Sequence, residues 1–156
     1  MEKESPQPVK PRFVEICQQH NLDYQAMQAI ANAARVKKDI VDAMSVSVAV
    51  RRFHALKVLT ALSKHTGKSW TLDNVQVRLL PTFQEYHTFH HFDLAQLSTG
   101  SRVSFDRIDM MLRGEPITTR EAQLILLAAS RQTGLYYKFT NVDVALSDGE
   151  EANKYG

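Results

Sequence analysis

Residues 35–79 recur at residues 102–146 with no gap, at a constant shift of 67. Fifteen of the 45 aligned positions are identical, among them Arg35/Arg102, Val36/Val103, Asp39/Asp106, Asp42/Asp109, Ser63/Ser130, Gly67/Gly134 and Asn74/Asn141. Chance at ordinary residue frequencies would give about three. Upstream the same shift keeps apolar partners, Ile16/Phe83, Leu22/Phe89, Met27/Leu94 and Ile30/Leu97, and one further identity, His20/His87. A chain of 156 residues built this way is expected to fold as two copies of one small unit.

Hydrophobic spacing describes that unit. In the first copy Phe13, Ile16 and Cys17 recur at helical intervals after Pro11. Asp23 is a good N-cap for a second helix carrying Met27, Ile30 and Ala34. A short third helix holds Ile40, Val41 and Met44. A longer fourth runs from about Val50 to His65 with Phe53, Leu56, Leu59 and Leu62, and Gly67 is placed to end it. The period then changes: Val75, Val77 and Leu79 alternate with Gln76 and Arg78, a strand signature. The second copy repeats the plan from Pro81 through Gly134 to Val142, Val144 and Leu146. The fold class expected is mostly α, with two helix-turn-helix repeats each closed by a short β-strand. A lone strand leaves its amides and carbonyls without partners. Strands near 70–79 and 137–146 are therefore expected to pair, with each other or with a second chain. The domain plan is a flexible arm over 1–11, repeat 1 with its strand over 12–79, repeat 2 with its strand over 80–146, and a disordered acidic tail over 147–156.

Composition removes several classes. The chain is 44% hydrophobic and 23% charged, as in ordinary globular domains. No apolar run suits a membrane span and the N-terminus has no signal-peptide stretch. Cys17 is the only cysteine, which fits a reducing cytoplasm. The formal charge is +2, and residues 12–146 alone carry +4. A nucleic-acid role must therefore come from where the charges sit.

The run from Leu94 to Thr118, LAQLSTGSRVSFDRIDMMLRGEPIT, reads as two short helices around a turn at Thr99–Arg102. Ser104 can cap the second helix, Ile108 and Met111 face inward, and Gly114 ends it. Leu94, Ala95, Val103, Ser104, Ile108 and Gly114 stand at the spacing of the XRE-type family, and the segment resembles the lambda-repressor and Cro-like DNA-binding domains. Repeat 1 is a degenerate copy: Met27, Val36, Val41 and Met44 keep the core, while Lys37 stands for the capping serine and Ser47 for the glycine. The resemblance implies that the third helix of each repeat enters the major groove of double-stranded DNA. In repeat 2 it points Ser104, Phe105, Arg107 and Met110 outward. Arg107 is then the base reader, since guanidinium pairs bidentately with guanine, and Arg102 and Arg113 suit phosphates. In repeat 1 the matching surface is Lys37, Lys38 and Ala43, flanked by Arg35, Arg51 and Arg52. Asp39/Asp106 and Asp42/Asp109 lie on the same helices; in a first turn an aspartate favours the helix dipole.

Other motifs read as structural. His87, His90 and His91 have helical spacing for a metal, but with no nearby cysteine and no HExxH pattern they read as polar turn residues, and no metal or other cofactor is expected. Trp70, Tyr136 and Tyr137 follow the helix-ending glycines and are expected to pack rather than stack on bases. There is no Gly-rich phosphate loop, nucleophile elbow or triad, so an enzyme is not expected. The function expected is a cytoplasmic transcriptional regulator that reads two DNA half-sites. The rival is a helix-turn-helix scaffold that grips a protein partner, with a homodimer as one form. A positive surface along the third helices favours DNA; an apolar or acidic one favours protein.

Overall fold

The computed structural model describes residues 10–148. The rest of the expected arm and tail lies outside the described residues. Eight helices appear among them: α1 (Phe13–Gln19), α2 (Tyr24–Ala34), α3 (Lys38–Ser45), α4 (Arg52–Thr66), α5 (Phe83–His90), α6 (Leu94–Ser101), α7 (Phe105–Leu112) and α8 (Thr119–Thr133). The chain divides at Leu79/Leu80 into two compact units with four helices each. Each unit has its own apolar core. Phe13, Ile16, Ile30, Val41, Val58, Leu59 and Leu62 fill the first, and Phe83, Leu97, Ile108, Ile117 and Ile125 the second. In α4 the buried face is Ala55, Val58, Leu59 and Leu62, while Leu56 is exposed. A strict three-residue spacing drifts off a face whose true period is 3.6.

The expected closing strands are not present. Each extended segment instead makes two single parallel bridges within its own unit: Arg12 with Gln76 and Val50 with Leu79, then Thr82 with Asp143 and Ile117 with Leu146. The Gln76 amide donates to the Pro11 carbonyl and the Val50 amide to the Arg78 carbonyl; Asp143 donates to Pro81 and Ile117 to Ala145. The partners are the extended residues at or just before the first and fourth helices of each unit. Alternation of apolar residues reports only that one face of an extended segment is buried, and it says nothing about who supplies the hydrogen bonds. The same contacts fix the inner ends of the expected arm and tail. Lys10 Nζ donates to Leu72, the Ser147 amide donates to Ile117, and Asp148 accepts from both the amide and hydroxyl of Thr119.

The structure explains why particular identities recur. Ser63 and Ser130 accept the amides of Trp70 and Tyr137, at 2.7 and 2.9 Å. Asn74 and Asn141 each accept an amide three residues back and donate to a carbonyl five back. Gly67 and Gly134 end α4 and α8 with φ of 76° and 75°, where a side chain would be strained. These residues clasp the loop that carries an aromatic ring back onto the unit. Trp70 and Tyr137 pack inward and Tyr136 is exposed, with Lys138 Nζ 4.3 Å from its ring centre. Trp70 satisfies its indole N–H on Thr66, whereas the buried Tyr137 hydroxyl has no partner among the described residues.

Upstream of residue 35 the register differs from the constant shift. Asp23 and Asp93 cap α2 and α6, and Phe13 and Phe83 open α1 and α5, a shift of 70 in both cases. The equivalent of His20 is therefore His90, not His87. His20 meets Trp70 edge-on and His90 meets Tyr137 likewise. Three extra residues in α2 absorb the difference. His87 has a local role, its Nδ1 accepting the Phe92 amide at 3.1 Å.

Candidate nucleic-acid interface

In each unit the second and third helices meet at a corner led by an arginine. Arg35 and Arg102 are the C-caps of α2 and α6, both in the left-handed region (φ 59° and 61°). Gly100 is helical, so the corner is Arg102 to Ser104 and not Thr99 to Arg102. Its Cβ position lies 3.7 Å from Ala128 on α8, ordinary packing distance. Val36 and Val103 are buried in the corner and anchor it to the core. Downstream of the third helix, Gly114 takes φ 80° and Ser47 the same left-handed conformation at φ 60°.

The two units then diverge at the helix starts. In unit 2 the side chain of Ser104 accepts the Arg107 amide and caps α7. Thr118 and Glu121 form a reciprocal capping box at α8. In unit 1 the corresponding N-caps are Lys37 and Arg51, and neither supplies a capping hydrogen bond from its side chain. Arg52 follows as the first residue of α4. Cations thus stand where helix starts ordinarily carry acceptors and negative charge.

The outward residues on α7 are not an open basic surface. Ile108 and Met111 point inward as expected. Phe105 is 51% exposed on the first turn, beside the exposed Asp106. Met110 does not point outward. It packs against the second core, and its equivalent Ala43 packs against the first. Arg107 is held by its own unit: Nε donates to Glu121 Oε2 at 2.9 Å and an Nη to Oε1 at 2.7 Å. The second Nη lies 3.4 Å from Met110 Sδ. The Arg107 hydrogen bonds, with those from Thr118, hold the Glu121 carboxyl down at about 2. Arg113 is tied to Asp109 at 2.9 Å and also to Glu115. Arg102 is exposed and makes no ion pair among the described residues.

Unit 1 differs in balance. Lys38 pairs with Asp42 at 2.8 Å and lies over the Tyr24 ring, so it is drawn back onto its own unit. The Asp42 hydrogen bond raises its pKa. Arg35, Lys37 and Arg52 are exposed and Arg51 is half-buried. Residues 10–79 hold eleven Lys and Arg against five Asp and Glu, a net of +6. Residues 80–148 hold six against eight, a net of −2. The small charge of the whole chain conceals this division.

Two features of the site go beyond the sequence expectations. One is this partition of charge, visible once acidic and basic residues are counted by repeat. The other is Glu121, signalled by the Thr-x-x-Glu pattern at Thr118–Glu121. Cys17 is buried, and burial pushes its thiol up to about 11, as suits a structural residue. Among the described residues no group of His, Cys, Asp or Glu is arranged to hold a metal ion, and no helix is long and apolar enough to cross a membrane. No family model, curated protein or solved structure matches the chain.

Proposed function

We propose that the protein binds double-stranded DNA and that unit 1 supplies most of the phosphate contacts. The observation that carries this reading is the +6 charge of unit 1, with Lys37, Arg51 and Arg52 at the starts of its third and fourth helices and Arg35 at the end of its second. A cation at a helix start opposes the dipole and costs stability in the free protein. A phosphate laid against those starts reverses the sign of the interaction, because it meets both the helix dipole and the cations. Unit 2 offers less: its net charge is negative, and its α7 arginines are engaged by acidic residues. DNA binding of this kind positions a protein on the duplex without chemistry, which is how a transcriptional regulator acts.

A second reading applies to unit 2 alone. Phe105, exposed beside Asp106 on a unit of net −2, suits a protein partner better than a polyanion. In that arrangement unit 1 grips DNA and unit 2 presents a protein-binding face.

The test is a titration of a labelled random-sequence duplex by the full chain at two salt concentrations. Weak binding that falls steeply with salt is expected, with a log–log slope of roughly −0.9 per phosphate engaged. No binding at low salt, with the protein folded and in excess, overturns the DNA reading.

A further inference from the structure

We infer that Glu121 is an internal latch: it occupies the guanidinium of Arg107 in place of a nucleic-acid acceptor and so limits what unit 2 adds to binding. The inference rests on the DNA reading above. Arg107 stands in the first turn of α7, on the third helix of its unit, and its guanidinium makes a two-point pair with the carboxylate. That fork geometry is the one guanidinium uses for a phosphate or a guanine edge, so carboxylate and nucleic acid compete for the same donors. The pair lies near the surface, with side-chain exposures of 35% and 26%, where a competing anion can reach it. The pair is partly open to solvent, so a duplex phosphate can compete with the carboxylate for the same donors, and the carboxylate sets the cost of that exchange.

Glu121 does not depend on Arg107 for its place. Its Oε1 also accepts the Thr118 amide and the Thr118 hydroxyl, both at 3.0 Å. The carboxylate is thus pre-set by the helix cap and remains in position when the arginine leaves. At the two equivalent positions unit 1 has Ile40 and the buried His54 in place of the arginine and the acid. The more basic unit has no acid set against its third helix at this point, and the less basic one does. A purely structural role, in which the pair only fastens α7 to α8, would leave duplex binding indifferent to the carboxylate.

The experiment compares the full-length chain with Glu121→Gln, Arg107→Gln and the double variant, titrating a duplex at several salt concentrations. Glutamine at this position keeps the capping box and removes the charge, and circular dichroism checks that each variant is helical. Release of Arg107 is expected to raise affinity at low salt ~3–10-fold and to steepen the salt slope by about 0.9, the share of one further phosphate. In the Arg107→Gln background the gain from Glu121→Gln is expected to vanish. If the parent protein binds but Glu121→Gln leaves affinity and slope unchanged, the latch is wrong and the DNA reading stands. A gain that persists without Arg107 also overturns it, since that is a general charge effect. If neither the parent nor Glu121→Gln binds duplex at low salt, both inferences fall together.

Discussion

The combined substitution of Lys37, Arg51 and Arg52 by glutamate is expected to weaken duplex binding at low salt by roughly 10–100-fold or more and to flatten its salt dependence. Each replaced cation engages at most one phosphate, so the slope should shrink by roughly 0.9 for every phosphate no longer neutralised. The same change should not unfold unit 1. Glutamate at the first positions of α3 and α4 complements the helix dipole, worth about 0.3–1 kcal/mol per favourable charge. The expected signature is lower affinity in a chain whose circular dichroism shows the helices intact. Charge reversal at Arg102 and Arg113 in unit 2 serves as the comparison and should have the smaller effect on binding. Equal losses from the two sets would mean that both units engage phosphate alike, and an unchanged affinity for the unit 1 set would remove those residues from the interface.

Phe83→Ala should cost unit 2 about 3–5 kcal/mol, the range for deleting a buried phenylalanine. Phe83 is 1% exposed and stacks on Phe92 with ring centres 5.1 Å apart. It opens α5 directly after Thr82, whose capping box and bridge to Asp143 set the start of the unit. The substitution removes ring–ring packing as well as apolar burial. The chain carries one tryptophan, Trp70, which belongs to unit 1. Circular dichroism in denaturant should therefore show an early loss of part of the helix signal while Trp70 fluorescence holds. Coincident early loss of both signals would show that the two cores do not melt as separate units.

Much of the helical plan is legible in the sequence because it depends on local rules. Asp23 and Ser104 cap helices, Gly67 and Gly134 end them, and Ile108 and Met111 mark an inner face three residues apart. The closing segments are harder. Val75, Val77 and Leu79 alternate as a strand would, yet the segment's backbone bonds are made by the residues between them: the Gln76 amide donates to Pro11 and the Arg78 carbonyl accepts from Val50, both more than twenty residues away within the same unit. Side-chain periodicity carries no information about that pairing. The upstream register misleads for a similar reason: His20 and His87 coincide at a constant shift, but the three extra residues in α2 move the true equivalent to His90.

The candidate interface is legible only in part. Arg102 caps the end of α6 and Phe105 and Arg107 stand in the first turn of α7, while Met110 turns into the core. The hold of Glu121 on Arg107 leaves no such trace, because it joins two helices across fourteen residues. Overall charge hides unit 1 as well, since +6 and −2 largely cancel. The capping serine and the glycine after the third helix stand in repeat 2, whereas the net positive charge lies in repeat 1. A serine or threonine at a helix start stabilises the fold and completes the pattern. A lysine or arginine there supplies no side-chain cap and breaks the pattern.

The most direct test of unit 1 as the DNA-binding surface is a residue-resolved one: amide chemical shifts of the full chain on addition of a short duplex at low salt. The largest changes are expected at residues 36–39 and 51–54, at the starts of α3 and α4. Smaller changes are expected at residues 103–107. Changes centred on α7, or none near either third helix, would contradict a DNA-binding role for unit 1.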